Sequence, residues 1–285
     1  MKKSLFLLFV FIVNCSCYSQ KINSKGQKMV KKIERLTEDE KEVIGVIDFS
    51  YNSRNELCEL NVRYKYSGKI MFKKSDNVMI RFDYDTENEM SPIRYVFTFD
   101  NNRHIKKQIV DQDRIDGGVL RYIYDYGYKS NSERLSQIFR RTYYSYDRRN
   151  FETREGDYIL RYFGYQNENA HVSYMMHCEK INGIWCHDFP INWNDRVYSE
   201  EFENDTNIDF FELYYNYGSG YNIENMTEWV GCKSKYLIEK SNFCNAEFYY
   251  AFDGSDCDNL GNIVKFIVKE YNKHLYTFKI YYCTE

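Results

Sequence analysis

Proline is nearly absent from this chain: 2 residues in 285, which leaves long strands uninterrupted. Histidine is scarce as well, with 5 residues. No G-x-S-x-G, H-E-x-x-H or P-loop pattern occurs, so the motifs that announce nucleophilic, zinc-hydrolytic or phosphate chemistry are missing. That absence weakens the case for an enzyme without closing it. After the first nineteen residues no apolar stretch approaches the length of a membrane helix. There is no basic excess either. The formal net charge is −3 with both signs interspersed, which gives no electrostatic footprint for nucleic acid.

The first nineteen residues are of a different kind. Lys2 and Lys3 precede an apolar run from Leu5 to Val13, followed by NCSCYSQ. A positive start, a short apolar centre and small residues make an export signal. Cys17 and Ser19 occupy the −3 and −1 positions of a cut before Gln20. Lipid attachment at Cys15 or Cys17 is the rival reading, and a lipid anchor is the only membrane association expected. Removing residues 1–19 takes away two lysines and no acids, moving the net charge to −5, and leaves seven of the nine cysteines. Seven is odd, the spacing is irregular, and a chain this long can bury its own core, so this is no disulfide-stapled mini-protein.

What the chain has in abundance is aromatic residues: 29 Tyr and 20 Phe. With a mean hydropathy of −0.68, they predict sheets with much exposed face and no thick aliphatic core. Alternation of period two runs through Leu60, Val62, Tyr64; Val78, Ile80, Phe82; Ile93, Tyr95, Phe97, Phe99; Leu120, Tyr122, Tyr124, Tyr126; Phe248, Tyr250, Phe252; and Tyr276, Phe278, Ile280, Tyr282. Each set falls on one face of a strand. A phrase recurs at the strand ends. FSYNSRNELCEL (49–60) and FTFDNNRHIKKQ (97–108) share two aromatics two apart, then Asn or Asp, then polar residues and a new apolar run. The Asn or Asp accepts bonds from the backbone ahead of it, so the chain should reverse there. Looser copies start at Phe82, Tyr122, Tyr144, Phe163 and Tyr250. The expected fold is all-β: one long antiparallel meander spanning residues 20–285.

About residues 184–234 the rhythm breaks. This segment holds Trp185, Trp193 and Trp229 and the acidic run YSEEFENDTNID. Thr206 and Asp209 resemble a helix N-cap and its N3 partner, Phe211 and Tyr215 would share a helical face, and Gly218 would end the helix. One short helical or irregular insertion is expected.

Three local patterns bear on function. HCEKINGIWCH (177–187) offers two His and two Cys. With a two-residue turn at Asn182-Gly183, Cys178 lies across from His187 and Cys186 across from Glu179, and the four ligands split between two faces. With a three-residue loop, Cys178 faces Cys186 and a disulfide or a thiol pair becomes available. Neither register closes a zinc site. DGSDCDNLGN (253–262) has the look of a calcium loop, but Leu260 and Ile267 stand where oxygen ligands belong. Trp185, His187 and Trp193 form a candidate binding platform, against the plainer reading that the tryptophans plug the concave side of the sheet. No pattern calls for a cofactor.

The aromatic-x-aromatic-Asp hairpins, the export signal and EWVGCKSKYL (228–237) ahead of a terminal hairpin resemble a Bacteroidetes family of exported proteins and lipoproteins. It is a domain of unknown function with a porin-like fold. Trp229, Gly231, Ser234 and Leu237 fit its W-x-G-x-x-S-x-x-L pattern. The resemblance implies a long, curved, open or nearly closed porin-like sheet, and supplies no catalytic residues. The functional expectation is a non-enzymatic binding or interaction module of the periplasm, outer membrane or cell surface, with a glycan or an envelope protein as partner. The alternatives are a hydrolase with its carboxylates on the concave face, and an integral outer-membrane barrel.

Overall fold

A computed structural model describes residues 21–23, 26–65, 68–84, 90–129, 134–146, 152–166, 169–181, 184–187, 191–192, 196–217, 222–230, 234–241, 245–253, 262–271 and 273–284, with side chains except at 92, 152–192 and 217. Its strands are β1 Val30–Leu36, β2 Val43–Tyr51, β3 Leu57–Tyr64, β4 Lys69–Ser75, β5 Val78–Tyr84 and β6 Met90–Phe99. There follow β7 Ile105–Asp113, β8 Val119–Tyr128, β9 Leu135–Ser145, β10 Glu152–Gln166, β11 Asn169–Ile181 and β12 Ile184–His187. The last are β13 Ile191–Asn192, β14 Arg196–Glu203, β15 Tyr236–Ser241, β16 Ala246–Phe252, β17 Ile263–Glu270 and β18 Lys273–Tyr282.

All eighteen join one sheet. From β2 to β11 each strand pairs antiparallel with the next, as a meander requires. The order continues backwards through β1, because β1 sits between β2 and the C-terminal strand β18. β18 then leads through β17, β16 and β15 to β14. At the other edge β12 and β13 lie end to end along β11. Among the described residues no ladder joins β13 to β14, and the curled sheet is not closed.

The recurring phrase is a turn of defined geometry. At the β2–β3 reversal Asn52 Oδ1 accepts from the amides of Arg54 and Glu56 at 2.9 and 3.1 Å, and Asn55 takes a left-handed φ of 59°. At the β6–β7 reversal Asp100 Oδ1 accepts from the His104 amide at 2.9 Å, and Arg103 takes a φ of 68°. Both are three-residue hairpin loops whose last residue is left-handed. The copy from Tyr122 behaves differently. Asp125 lies mid-ladder, opposite Phe139 and Lys107, and the chain turns only after Tyr128. It faces outward, where the Arg141 guanidinium neutralises it, so its acid marks a cross-strand pair and not a bend.

The inner face carries the aromatic stripes. Leu60, Phe72, Phe97, Phe266 and Phe278 are all fully buried. On β5 the parity is reversed from the apolar pattern: Val78 and Ile80 are each 42% exposed, while Met79 and Arg81 point inward at 0% and 3%. Arg81 earns that place through Asp83, which accepts from Nε and Nη2 at 2.6 and 2.8 Å, and through the Tyr95 ring 4.2 Å beneath its guanidinium. A paired arginine on the core side hides the true stripe from a reading of apolar residues alone.

Between β14 and β15 the chain leaves the sheet and folds inside it. Helix α1, Phe210–Tyr217, and a 3-10 turn, Ile223–Met226, lie in one apolar cluster with the inner face of the strands. The N-cap is Asp209, not Thr206: Asp209 Oδ1 accepts from the Glu212 amide at 3.0 Å. The Thr206 hydroxyl is occupied, donating to Asn204 Oδ1 at 2.8 Å. Phe211 and Tyr215 share a helical face and stack at 5.9 Å. Gly218 is outside the described residues. The segment is tied to three parts of the wall. The Val30 amide donates to Asn207 Oδ1 at 3.1 Å, the Leu57 amide to Glu228 Oε1 at 2.9 Å, and the Ile105 amide to the Trp229 carbonyl at 2.8 Å. Trp229 is 1% exposed, packs on Phe72 at 5.8 Å and donates from Nε1 to the Leu57 carbonyl at 3.1 Å. Replacing Trp229 with Ala should cost about 3–5 kcal/mol, read as a lower urea midpoint, whereas Trp229→Phe should keep much of that stability. Equal midpoints for wild type and W229A would mean that the segment does not hold the interior.

Candidate binding groove at the parting of two strands

The excursion disturbs the strands that flank it. The β14–β15 ladder shifts register twice, between Val197 and Tyr198 and again between Tyr198 and Glu203. β15 meets β16 through only two rungs, Lys240 with Glu247 and Ser241 with Ala246. Beyond them Tyr236–Glu239 and Phe248–Phe252 part, and a groove of about 400 Å³ opens. Its floor is Ser199, Phe202, Leu237, Phe248, Tyr250 and Phe252, and its rim is Glu239, Lys240, Glu247 and Tyr249. The alternation of β16 supplies both sets: Phe248, Tyr250 and Phe252 point to the floor, Glu247 and Tyr249 to the rim.

The rings are held from behind. Tyr250 stacks on Phe266 at 5.4 Å, meets Phe210 edge-on at 5.4 Å, and spans the parting by donating to the Ile238 carbonyl at 2.9 Å. Burial and nearby Asp209 push its phenol well above the ordinary tyrosine range, so it stays a neutral donor. Phe202 and Phe252 lie 5.7 Å apart at 50° and are only half-buried. At the rim Tyr249 is 43% exposed and donates to Glu247 Oε2 at 2.7 Å. That bond raises the Tyr249 phenol.

Behind the groove lies a buried ionic cluster. The Arg196 guanidinium sits 3.7 Å over the Phe211 ring, with Nη2 3.8 Å from Glu212 Oε1. Asn216 Nδ2 donates to Glu212 Oε2 at 2.7 Å. Burial and then the neighbouring Glu212 charge raise Asp209 to about 6, against the pull of Arg196. Neither carboxylate lines the groove, and each already has partners. A second cluster lies toward β5 and β7. Arg81 Nη1 is 3.7 Å from Glu224 Oε2, Gln108 Nε2 donates to Glu224 Oε1 at 3.3 Å, and Tyr126 donates to Gln108 at 3.0 Å. Glu224 is fully buried and its carboxyl is raised by that burial. Both clusters hold the inserted segment to the wall.

The residues singled out from sequence fall elsewhere. The backbone of β11 and β12 takes the two-residue register, with Cys178 across from His187 and Cys186 across from Glu179. That is not the register in which the two cysteines face each other. The side chains of Cys178, Cys186, Trp185 and His187, and all of Trp193, lie outside the described residues, as does the loop at 254–261. Two described thiols, Cys58 and Cys283, are unbridged, and burial raises both. His104 is 1% exposed and stacks on Tyr128 at 5.0 Å, which makes it a core residue. Among the described residues no group of three or more metal-ligating side chains comes together. The groove has no local sequence signal, because Phe202 stands inside an acidic run and a parting of strands leaves no pattern in the chain.

An antiparallel sheet curled around an inserted helical segment is a porin-like fold. The solved structures similar to this chain include a porin-like protein from Bacteroides vulgatus, at a TM-score of 0.51 and 14% identity over 90% of this chain and 98% of that one. A porin-like protein from Bacteroides uniformis is similar at a TM-score of 0.50 and 13% identity, over 89% and 95%. At such identities the likeness is one of fold. No family model matches the chain, and no curated protein matches it.

The Asp209 carboxyl generates a pH test. Its folded-state pKa of about 6 lies above the ordinary 3.8, so the folded state keeps a proton that the unfolded chain releases. The stability it contributes is whole below 3.8 and is lost as the pH rises through about 6. Asp209→Asn keeps a good cap and cannot titrate. Urea unfolding across that window should therefore show the wild type losing more stability than D209N. Parallel curves would mean that Asp209 ionises as it does in water.

Proposed function

We propose that the protein is a non-enzymatic binding module of the cell envelope that holds its ligand in the groove between β15 and β16. The groove carries the reading. Half-buried rings over a wide, laterally open volume, with ionised groups confined to the rim, form the kind of concavity in which proteins hold small ligands. The two buried carboxylate clusters serve the packing of the inserted segment, which favours binding over hydrolysis. The apolar segment led by lysines at the N-terminus, together with the porin-like fold, supports an envelope location.

The outer face speaks for a sheet bathed in water. Arg63 and Asp48 pair at 2.5 Å across β3 and β2, and Arg121 and Asp111 at 2.7 Å across β8 and β7. Arg94 and Asp113 pair at 3.4 Å across β6 and β7. Each arginine or lysine on a lipid-facing strand would cost about 2–4 kcal/mol at the bilayer midplane, and here they recur across neighbouring strands. Purification without detergent should give a monodisperse protein; a strict need for detergent would argue for a barrel in lipid.

Saturation-transfer NMR against peptidoglycan peptides, short oligosaccharides and short-chain amphiphiles tests the groove itself. One class should receive saturation from the wild type and lose it in Phe252→Ala. Silence across the panel would remove the proposal.

A further inference from the structure

The class of ligand can be taken further, on the footing that the groove is the binding site. We infer that it takes a neutral oligosaccharide. Four of its six floor residues are aromatic, one is aliphatic, Leu237, and one carries a hydroxyl, Ser199. An acyl chain needs a sleeve of aliphatic side chains and no ionised rim. A flat ring against which a pyranose can lay its C–H face is what Phe202 and Phe252 offer, since both are half-buried, 5.7 Å apart and tilted by 50°. Two such rings at an angle suit two consecutive sugar units whose faces turn relative to each other.

The rim matches the other side of a sugar. Hydroxyl groups need acceptors as well as donors, and a carboxylate accepts through two oxygens. Glu247 uses Oε2 for the Tyr249 phenol at 2.7 Å, which fixes the carboxylate and leaves Oε1 to accept from a ligand hydroxyl. Glu239 adds a second acceptor and Lys240 a donor. Lys269, opposite Glu247 in the β16–β17 ladder, holds its ammonium 4.6 Å over the Tyr249 ring, so two carboxylates and two ammoniums balance and the rim gives an acidic sugar no net attraction. The two rungs close one end of the groove, and the parting of β15 from β16 beyond them leaves its side open, so a chain longer than the groove leaves through that side.

The experiment is isothermal titration of the purified protein with neutral trisaccharides of glucose, galactose and N-acetylglucosamine, with trigalacturonate and a short-chain alkyl maltoside as comparators. A neutral trisaccharide should bind with a Kd of about 0.1–1 mM, as expected for a small open site. Trigalacturonate should bind no more tightly than its neutral counterpart. Phe252→Ala should weaken the trisaccharide about tenfold, and Glu247→Gln, at the rim and away from the core, by about threefold with unchanged thermal unfolding. Rim variant E247Q keeps the test decisive should F252A unfold. Binding of the maltoside through its alkyl chain, with no trisaccharide bound, would overturn the sugar assignment and leave the groove as a ligand site. Tighter binding of the uronate than of its neutral counterpart would overturn it too. If neither a trisaccharide nor a comparator binds, the sugar assignment and the groove reading fall together.

Discussion

The structure depends on covering one continuous apolar lining. A sheet of this many strands, curled on itself, encloses more space than the side chains of its own inner face can fill, as larger barrels show by holding either water or a plug. Here the lining is Leu60, Phe72, Phe97, Phe266, Phe278 and their neighbours, and its cover is the segment between β14 and β15. Ile208, Phe210, Leu213, Ile223, Met226 and Trp229 are each 2% exposed or less. Because the cover comes from the same chain, its backbone polar groups must be met inside the sheet, and the amides of Val30, Leu57 and Ile105 are enlisted to do so.

The buried ions belong to the same arrangement. Removing Arg81, Arg196, Glu212 and Glu224 from water is expensive, and attraction within each cluster offsets that cost only when the geometry is met. Each cluster joins one residue of the wall to one of the insertion: Arg81 of β5 to Glu224 of the 3-10 turn, and Arg196 of β14 to Glu212 of α1. An apolar contact tolerates sliding; a desolvated ion pair does not. The clusters therefore fix where the segment sits, and the apolar surface supplies the drive to keep it there. Outside the sheet the same residue types meet across neighbouring strands at exposed positions, where each pair contributes little to stability.

The groove follows from the excursion. β14 and β15 are the strands from which the chain departs and to which it returns, and their ladder slips twice. β15 pairs with β16 at Ser241 and Lys240, and its other residues, Tyr236–Glu239, make no rung with it. The half-exposed rings of Phe202 and Phe252 are left at the parting because the floor is already filled from behind by Phe210 and Phe266. A groove thus arises where the demands of filling the interior and of completing the ladder conflict.

Sequence alone determined the period-two strands, the hairpin loops at Asn52 and Asp100 and the meander, and it marked residues about 184–234 as a helical or irregular break in that rhythm. These are local: each depends on side chains within a few residues and on the backbone they bias. Tertiary structure decided the rest. It turned β5 so that Arg81 faces the core, kept Asp125 mid-strand opposite a cation, chose Asp209 as the cap, and put Trp229 at the centre of the interior. It also placed Phe202 of an acidic run beside Phe252, some fifty positions away. The partners that make these placements favourable include groups from other elements, Tyr95 and Glu224 for Arg81, Arg141 for Asp125, Phe72 for Trp229 and Phe252 for Phe202, and a placement that rests on such a partner leaves no periodicity in the local sequence.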